Sequence, residues 1–231
     1  MESPGKAAAA EFVGTFALVF FGAGSVILSL NGQLDLVGVA LAHGLVIAIM
    51  VSQMGHLSGG IFNPAIQAAL WVTGRTDGRR SAIYIGAQFG GAVVAAFLLR
   101  FLVPKPLFDA AAGGTPTLGV GISPGKAILL EAVGTFFLVW AVFATAIDDR
   151  GPFAKTAGFT IGLTITFGIL ALAPYTGAAF NVARWFGPAL ASGTWADWYV
   201  WIVGPLAGGV LAGVAYWTLY LRDGEPAPTV G

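Results

Sequence analysis

Two asparagines, Asn63 and Asn181, stand 118 positions apart, each preceded by phenylalanine and each opening a short apolar run. Asparagine is a strong helix N-cap, because its side-chain oxygen takes a free backbone N–H. Its amide NH₂ then points away and can donate to something else. Two such caps meeting at one place would offer two donors there, and both helix N-termini would add partial positive charge. That combination suits a small neutral acceptor such as a water oxygen and repels cations, hydronium included. The plainer alternative is that both asparagines only cap buried helices. Arg184 follows Asn181 by three residues, about one turn along a helix, in "FNVARWFGPAL". A permanent cation in so apolar a stretch marks a functional site by default. The alternative, a surface arginine reaching lipid headgroups, fits poorly with the apolar residues that follow it.

Other reactive groups are scarce. The chain has no cysteine and two histidines, His43 and His56, so neither a thiol site nor a metal cluster is expected. No nucleophile–base pair is recognisable; the expectation is no enzyme and no cofactor. Glu11 and Glu131 remain, at matching places in the chain. Carboxylates inside apolar segments need partners. They either hold structure or relay protons, and the lack of a nearby His or Lys favours the structural role.

The elements that must position these residues follow from composition. Of 231 residues, 57% are hydrophobic and 10% charged, and the mean hydropathy is +0.83. A soluble domain carries about 25% charged residues, so the chain reads as a polytopic membrane protein. Its net charge of zero points to no nucleic-acid partner. A span needs about 20 apolar residues. Six candidates appear, near 7–30, 35–54, 81–103, 124–147, 156–173 and 198–221. The first is too long, and too charged at Glu11, for a cleaved signal. Two shorter pieces, 63–74 and 181–190, would cross only half a bilayer, and paired short segments point to a midplane site.

The pairing is written in the sequence. "SPGKAAAAEFVGT" at 3–15 recurs as "SPGKAILLEAVGT" at 123–135. Gly44-Leu45 recurs as Gly162-Leu163, and Gly86-x-x-x-Gly90-Gly91 matches Gly204-x-x-x-Gly208-Gly209, both shifted by 118 like the asparagines. Two repeats, about 3–103 and 123–221, are expected within a single domain spanning 1–231. Each holds three spans and one half-helix. Three is odd, so the second repeat enters with opposite sense, and the half-helices approach the midplane from opposite sides. Lys6, Arg75, Arg79, Arg80, Arg150, Lys155 and Arg222 then share the side of both termini, with only Arg100, Lys105 and Lys126 opposite, which places both termini in the cytoplasm. The Pro-, Gly- and Ala-rich segment 104–122 is the external loop between repeats.

"GHLSGGIFNPA" (55–65) and "FNVARWFGPA" (180–189), with the repeated starts, resemble the two signature loops of the aquaporin, or major intrinsic protein, family. The resemblance covers nearly the whole chain and implies an all-α membrane fold of six transmembrane helices plus two re-entrant half-helices. It implies a passive channel for water and small neutral solutes such as ammonia, urea or hydrogen peroxide, excluding protons and ions, and assembled as a homotetramer in the bilayer. By the same resemblance Asn63 and Asn181 form the pore midplane. Arg184 joins His43, Ile169 and Ala178 in a selectivity filter similar to that of tonoplast intrinsic proteins. Glu11, Glu131 and His56 brace the loops; His56 alternatively lines the cytoplasmic mouth. Pro64 and Val182 start the half-helices. Val182 stands where the family carries proline, whose fixed φ suits a first helical position; the cap and half-helix are expected to survive around a somewhat different constriction. Gly59 and Gly60 permit a sharp extended turn. Ile61 replaces a frequent family histidine. Trp185 stands where glycerol-conducting relatives have Asp, which disfavours glycerol; its own role stays open between packing behind the half-helix and shaping the outer mouth. Protonation of His43 would tune the pore if the ring titrates.

Two other classes stay in view: a secondary transporter, which also uses inverted repeats and broken helices, and a structural membrane protein with a closed pore. The short tails, without a targeting extension, lead to the expectation of a prokaryotic cytoplasmic membrane. One consequence needs only the composition. With no cysteine in the chain, mercuric chloride is expected to leave water flux unchanged in reconstituted vesicles; a block reversed by thiol reagents would contradict it.

Overall fold

The computed structural model describes residues 3–151 and 154–222. Among these the regular structure is entirely helical. Six long helices carry the apolar spans: α1 Pro4–Leu30, α2 Leu36–Ser58, α4 Gly78–Leu102, α6 Pro124–Val142, α7 Ala157–Thr176 and α9 Val200–Tyr216. Three are short: α3 Pro64–Val72, α5 Lys105–Ala110 and α8 Val182–Ser192. The six long elements, with the wide π turns Phe143–Ile147 and Trp217–Leu221 that extend α6 and α9, are long and apolar enough to cross a membrane. Their outward faces are apolar, as at Phe21, Phe101, Leu129 and Leu163, which suits contact with lipid rather than water.

Local chemistry sets the helix ends. Pro4 and Pro124 occupy first-turn positions, where their missing N–H costs nothing. Asp35 caps α2 by accepting from Gly38 N at 2.8 Å, and Asp77 caps α4 by accepting from Arg80 N at 2.8 Å. Gly59 and Gly177 close α2 and α7 in the left-handed conformation, with φ of 96° and 75°. The sequence reading stopped α2 at 54 and α7 at 173; both run on to these glycines. At the far end of α6, Asp148 accepts from Arg150 Nε at 2.8 Å and from the Tyr216 hydroxyl at 3.0 Å. The Arg150 hydrogen bond foremost holds its carboxyl down to about 2, so the link between α6 and α9 stays charged at neutral pH.

Small residues let the helices touch. α1 packs along α4, α6 along α9, and α2 crosses α7. At that crossing a Cβ on Gly44 would lie 2.6 Å from the Gly162 carbonyl, and one on Gly162 would lie 2.3 Å from the Gly44 carbonyl. The matched pair of the sequence thus meets face to face. The third landmark shifts by one. Gly91 sits against the Phe12 carbonyl and Gly208 against that of Ala132; Phe12 and Ala132 correspond through the repeated N-terminal stretch, so Gly91 pairs with Gly208, 117 apart and not 118. Gly90 and Gly208, aligned by a uniform shift of 118, face different neighbours.

The segment 104–122 also departs from a plain external loop. It forms α5 and a single 3₁₀ turn at Ala112–Gly114, and it buries Phe108, Ala111 and Gly114. Gly114 has φ of 76°, and a Cβ there would lie 2.5 Å from the Ala23 carbonyl, so only glycine fits. The Thr115 and Ser192 hydroxyls, 3.1 Å apart, tie the segment to α8. Its Pro/Gly/Ala composition hid a folded strap that enters the protein.

The close approaches predict a contrast. A Cβ at Gly208 would lie 2.0 Å from the Ala132 carbonyl, whereas nothing lies within 4 Å at Gly86. Gly208→Val is expected to lower stability by about 1–3 kcal/mol or more, while Gly86→Ala is neutral or stabilises by up to about 1 kcal/mol. Thermal unfolding in detergent measures both, and equal tolerance would refute the packing.

Candidate functional site: a narrow cavity between two half-helices

α3 and α8 each start at an asparagine with nearly the same backbone, φ and ψ of −153° and 117° at Asn63 and −157° and 117° at Asn181. Asn63 Oδ1 accepts from Ala65 N at 2.9 Å. Asn181 Oδ1 accepts from Ala183 N at 3.0 Å and Arg184 N at 3.2 Å. Val182 in place of proline leaves this cap and its helix formed. The amide nitrogens do more than point away. Asn63 Nδ2 donates to the Phe180 carbonyl and Asn181 Nδ2 to the Phe62 carbonyl, both at 2.8 Å. Each half-helix start is therefore stitched to the loop leading into the other. An amide carries two N–H donors, so one on each asparagine remains for a molecule in the cavity.

The loops before the asparagines are irregular and buried, and each leans on one carboxylate. Glu11, fully buried, accepts from the Ser58 hydroxyl at 2.6 Å, Ile61 N at 3.0 Å, Phe62 N at 2.7 Å and Gln88 Nε2 at 2.7 Å. Glu131 accepts from Ala179 N at 3.0 Å and Phe180 N at 2.9 Å, and bonds the Thr176 side chain. Bonds to a charged acceptor are about twice as strong as neutral ones. They offset backbone strain: Phe62, Ala178 and Phe180 have φ of 49°, 46° and 50°, a conformation costing a non-glycine residue about 1–3 kcal/mol. The two phenylalanine rings seat on Gly14 and Gly134, where a Cβ would lie 2.1 and 2.0 Å from a ring carbon. Gln88, Ser58 and Thr176 were missed in the sequence. The 118-residue correspondence of Ser58 with Thr176 was available to find two of them; nothing in the sequence marks Gln88.

Asn63, Asn181, His43, Ile169, Ala178 and Arg184 all line one narrow cavity. Apolar side chains, among them Leu18, Ile47, Leu138 and Ile165, line it as well. Its volume is about 40 Å³, above the roughly 10–15 Å³ that a cavity needs to admit a water. At one end Arg184, 2% exposed, donates through Nη1 to the Gly114 carbonyl at 3.0 Å and through Nη2 to His43 Nε2 at 3.3 Å. His43 Nδ1 lies 2.9 Å from the Val39 carbonyl. That carbonyl can only accept, so Nδ1 carries the proton and Nε2 the lone pair that Arg184 meets: the ring is neutral in this arrangement. A guanidinium has five N–H donors, so others stay free for the cavity. Gly114 and Gly22 were not foreseen. Gly22 makes room for His43, since a Cβ there would lie 2.6 Å from Nε2.

The remaining candidates lie elsewhere. Glu11 and Glu131 stand behind the loops and do not line the cavity. His56 lines a wider cavity of about 310 Å³ that shares Val51, Gly59 and Ile61 with the narrow one; the loop-bracing bonds belong to Glu11 and Ser58 instead. Trp185 lies behind α8, stacked on Trp201 at 5.9 Å with 10° between planes and edge-on to Trp195 at 5.6 Å. Trp201 Nε1 donates to the Thr176 carbonyl at 3.0 Å, and Ala178 N donates to Thr176 Oγ1 at 3.1 Å. A run of contacts thus joins the aromatic cluster to the loop that carries Ala178.

Among known proteins, the profile of the major intrinsic protein family matches residues 2–216. Aquaporin TIP4-4 of Zea mays is 44% identical, covering 96% of this chain and 90% of its own. Aquaporin TIP2-3 of Zea mays is 40% identical with the same coverage. Aquaporin-4 of Mus musculus is 38% identical over 95% of this chain and 69% of its own. The X-ray structure of the aquaglyceroporin from Plasmodium falciparum superposes with a TM-score of 0.84 at 22% identity, covering 95% of this chain and 98% of that one. At that identity the likeness speaks for the fold alone.

The Trp201 contact yields a test. Trp201→Phe keeps a stacked ring but removes the bond to the Thr176 carbonyl, leaving a buried acceptor worth about 1–3 kcal/mol. The ratio of urea to water flux is expected to rise, because Ala178 loses its fixed place at the cavity wall. A proportional fall of both fluxes would mean Trp201 only supports folding.

Proposed function

Since the chain belongs to the major intrinsic protein, or aquaporin, family and is a passive water channel of the integral membrane type, not an enzyme, we propose that water is read at two places along its narrow cavity. At the first, the free N–H of Asn63 and of Asn181 each offers a donor to one passing water oxygen. Both half-helix N-termini add positive potential there, so the water turns its oxygen to the centre and its hydrogens outward to either side. A file turned in this way cannot hand a proton through, and hydronium meets repulsion. At the second place, the free N–H groups of Arg184 replace hydrogen bonds that water leaves behind, and the guanidinium charge turns cations away.

The observation that carries this reading is the convergence of His43, Ile169, Ala178 and Arg184 on the same cavity as the two asparagines. An isoleucine and an alanine make two sides of the filter apolar and small. We infer that ammonia, urea or hydrogen peroxide can follow water, while glycerol is held back. The transporter and closed-pore alternatives are not favoured. A transporter would need a switchable charge network, and both buried carboxylates are occupied by loop backbone.

The arrangement of 1–231 as one channel domain with two inverted repeats belongs to the same proposal. It is supported by the matching bonds around Glu11 and Glu131. A homotetramer with one pore in each subunit is carried over from the family resemblance. Termini on the cytoplasmic side follow from the Lys/Arg placement. The prokaryotic membrane inferred from short tails gains no support from the named relatives, which are plant and mammalian proteins.

Stopped-flow light scattering on vesicles carrying the purified protein tests the reading. Water flux is expected well above protein-free vesicles, with added ammonia flux and little glycerol flux. It is also expected to stay flat from about pH 5 to about pH 8, the range in which an unperturbed histidine changes charge, because Arg184 engages the lone pair that a second proton on His43 would need. Glycerol flux equal to that of ammonia would defeat the filter assignment, and a step in water flux across that range would defeat the neutral ring.

A further inference from the structure

We propose that the wide cavity at the His56 end of the pore is a binding site for a phosphate group, and that its occupation throttles the water path. The inference rests on the channel reading above, because it concerns the same conduit. The cavity holds about 310 Å³, and Val51, Gly59 and Ile61 line both it and the narrow cavity, so the two adjoin. Its wall carries Arg75 and Thr76 from the turn before α4, Arg80 and Tyr84 from α4, and Lys155 from the turn before α7. No Asp or Glu is among its described lining residues. Thr76 Oγ1 is buried there without a hydrogen-bond partner, and a buried hydroxyl without a partner is costly unless something else supplies one.

Excess Lys and Arg on the cytoplasmic side is common in membrane proteins, but that tendency does not aim charges into a pore. Here it separates into two groups. Arg150 is paired with Asp148 at 2.7 Å, and Arg79 lines a separate outward hollow with Pro4 and Asp77. Arg75, Lys155 and the Thr76 hydroxyl instead converge from separate turns on the conduit. Arg80 borders both hollows, and the site does not depend on it. An arginine fork matches the oxygens of a phosphate, and a lysine adds a point charge. Hydroxyl donors from Thr76 and Tyr84 complete a set suited to a tetrahedral, many-acceptor anion. The group can arrive on a soluble phosphate or on the headgroup of an anionic lipid; the recognising chemistry is the same.

The experiment uses the full chain in vesicles with probe on both faces, so that mixed insertion does not matter. One arm compares water flux in inorganic phosphate with flux in chloride at matched osmolarity and ionic strength. A second replaces part of the lipid with a phosphoinositide and contains no free phosphate. With a half-effect near about 1 mM, about 10 mM phosphate is expected to cut flux about tenfold. The phosphate-to-chloride flux ratio returns to one in Arg75→Gln/Lys155→Gln and moves part of the way in Thr76→Val. Comparing conditions within each variant removes differences in yield and folding. A response to phosphoinositide alone assigns the group to a headgroup, and a response to phosphate assigns it to a solute; both support the site. Equal flux in all conditions overturns it, as does an inhibition that survives in the double variant. Flux in chloride no faster than in protein-free vesicles would instead sink the channel reading itself.

Discussion

Non-helical backbone cannot persist in hydrocarbon unless each of its polar groups finds a partner inside the protein. Glu11 and Glu131 meet that requirement, and the remainder of the pore depends on them. Each carboxylate takes two consecutive loop N–H groups and the hydroxyl three residues before the first of them. The charge is itself satisfied by these bonds, which answers the cost of burying it. With the loops held, the Phe62 and Phe180 carbonyls point where the opposite asparagine can reach them. The half-helix starts then meet, and the donors that remain face the cavity.

The same rule holds around Arg184. Arg184 would be expensive at this depth if it were unpaired. It is held by a glycine carbonyl from the strap at 112–114 and by a histidine ring whose other nitrogen is fixed on its own helix. None of these partners is an acid. The guanidinium therefore meets no carboxylate at hydrogen-bonding distance, and the nearby Glu131 acts on it only through space. Trp185, next in sequence, faces the other way into an aromatic cluster. One helix turn thus presents a cation to the pore and a large apolar side chain to the packing behind it.

The two halves are alike where backbone must be held and unlike in the side chains that line the cavity. Ser58 and Thr176, Gly60 and Ala178, Phe62 and Phe180 play matching parts in their loops. In the cavity the counterparts differ in kind: His43 answers to Ile161, Ile169 to Val51 and Arg184 to Ile66. The wide end differs again, with basic side chains and no acid in its lining. A duplicated frame therefore supports a conduit whose two mouths have different chemistry.

Much of this was legible in the sequence. The long apolar runs require spans because each is long enough to cross a bilayer and carries almost no charge. The two Asn-headed runs require half-helices because they are too short for anything else. Position in the duplication was enough to single out Glu11, Glu131, Asn63 and Asn181. The family resemblance, read on the motifs, located His43, Ile169, Ala178 and Arg184. Other features arise only when the chain is folded. The strap at 104–122 looked like a solvent loop because Pro, Gly and Ala also mark turns, and its burial depends on Ala23 and α8. Gly91 pairing with Gly208 could not be fixed by glycine matches, since register is set by which carbonyl each glycine must clear. Gln88 bonding Glu11, and the cross-bonding of each asparagine to the other loop, join residues 77 to 119 positions apart. Spacing along the chain settles which residues share a helix face or a turn; only packing in three dimensions decides which distant donors and acceptors come within about 3 Å of each other.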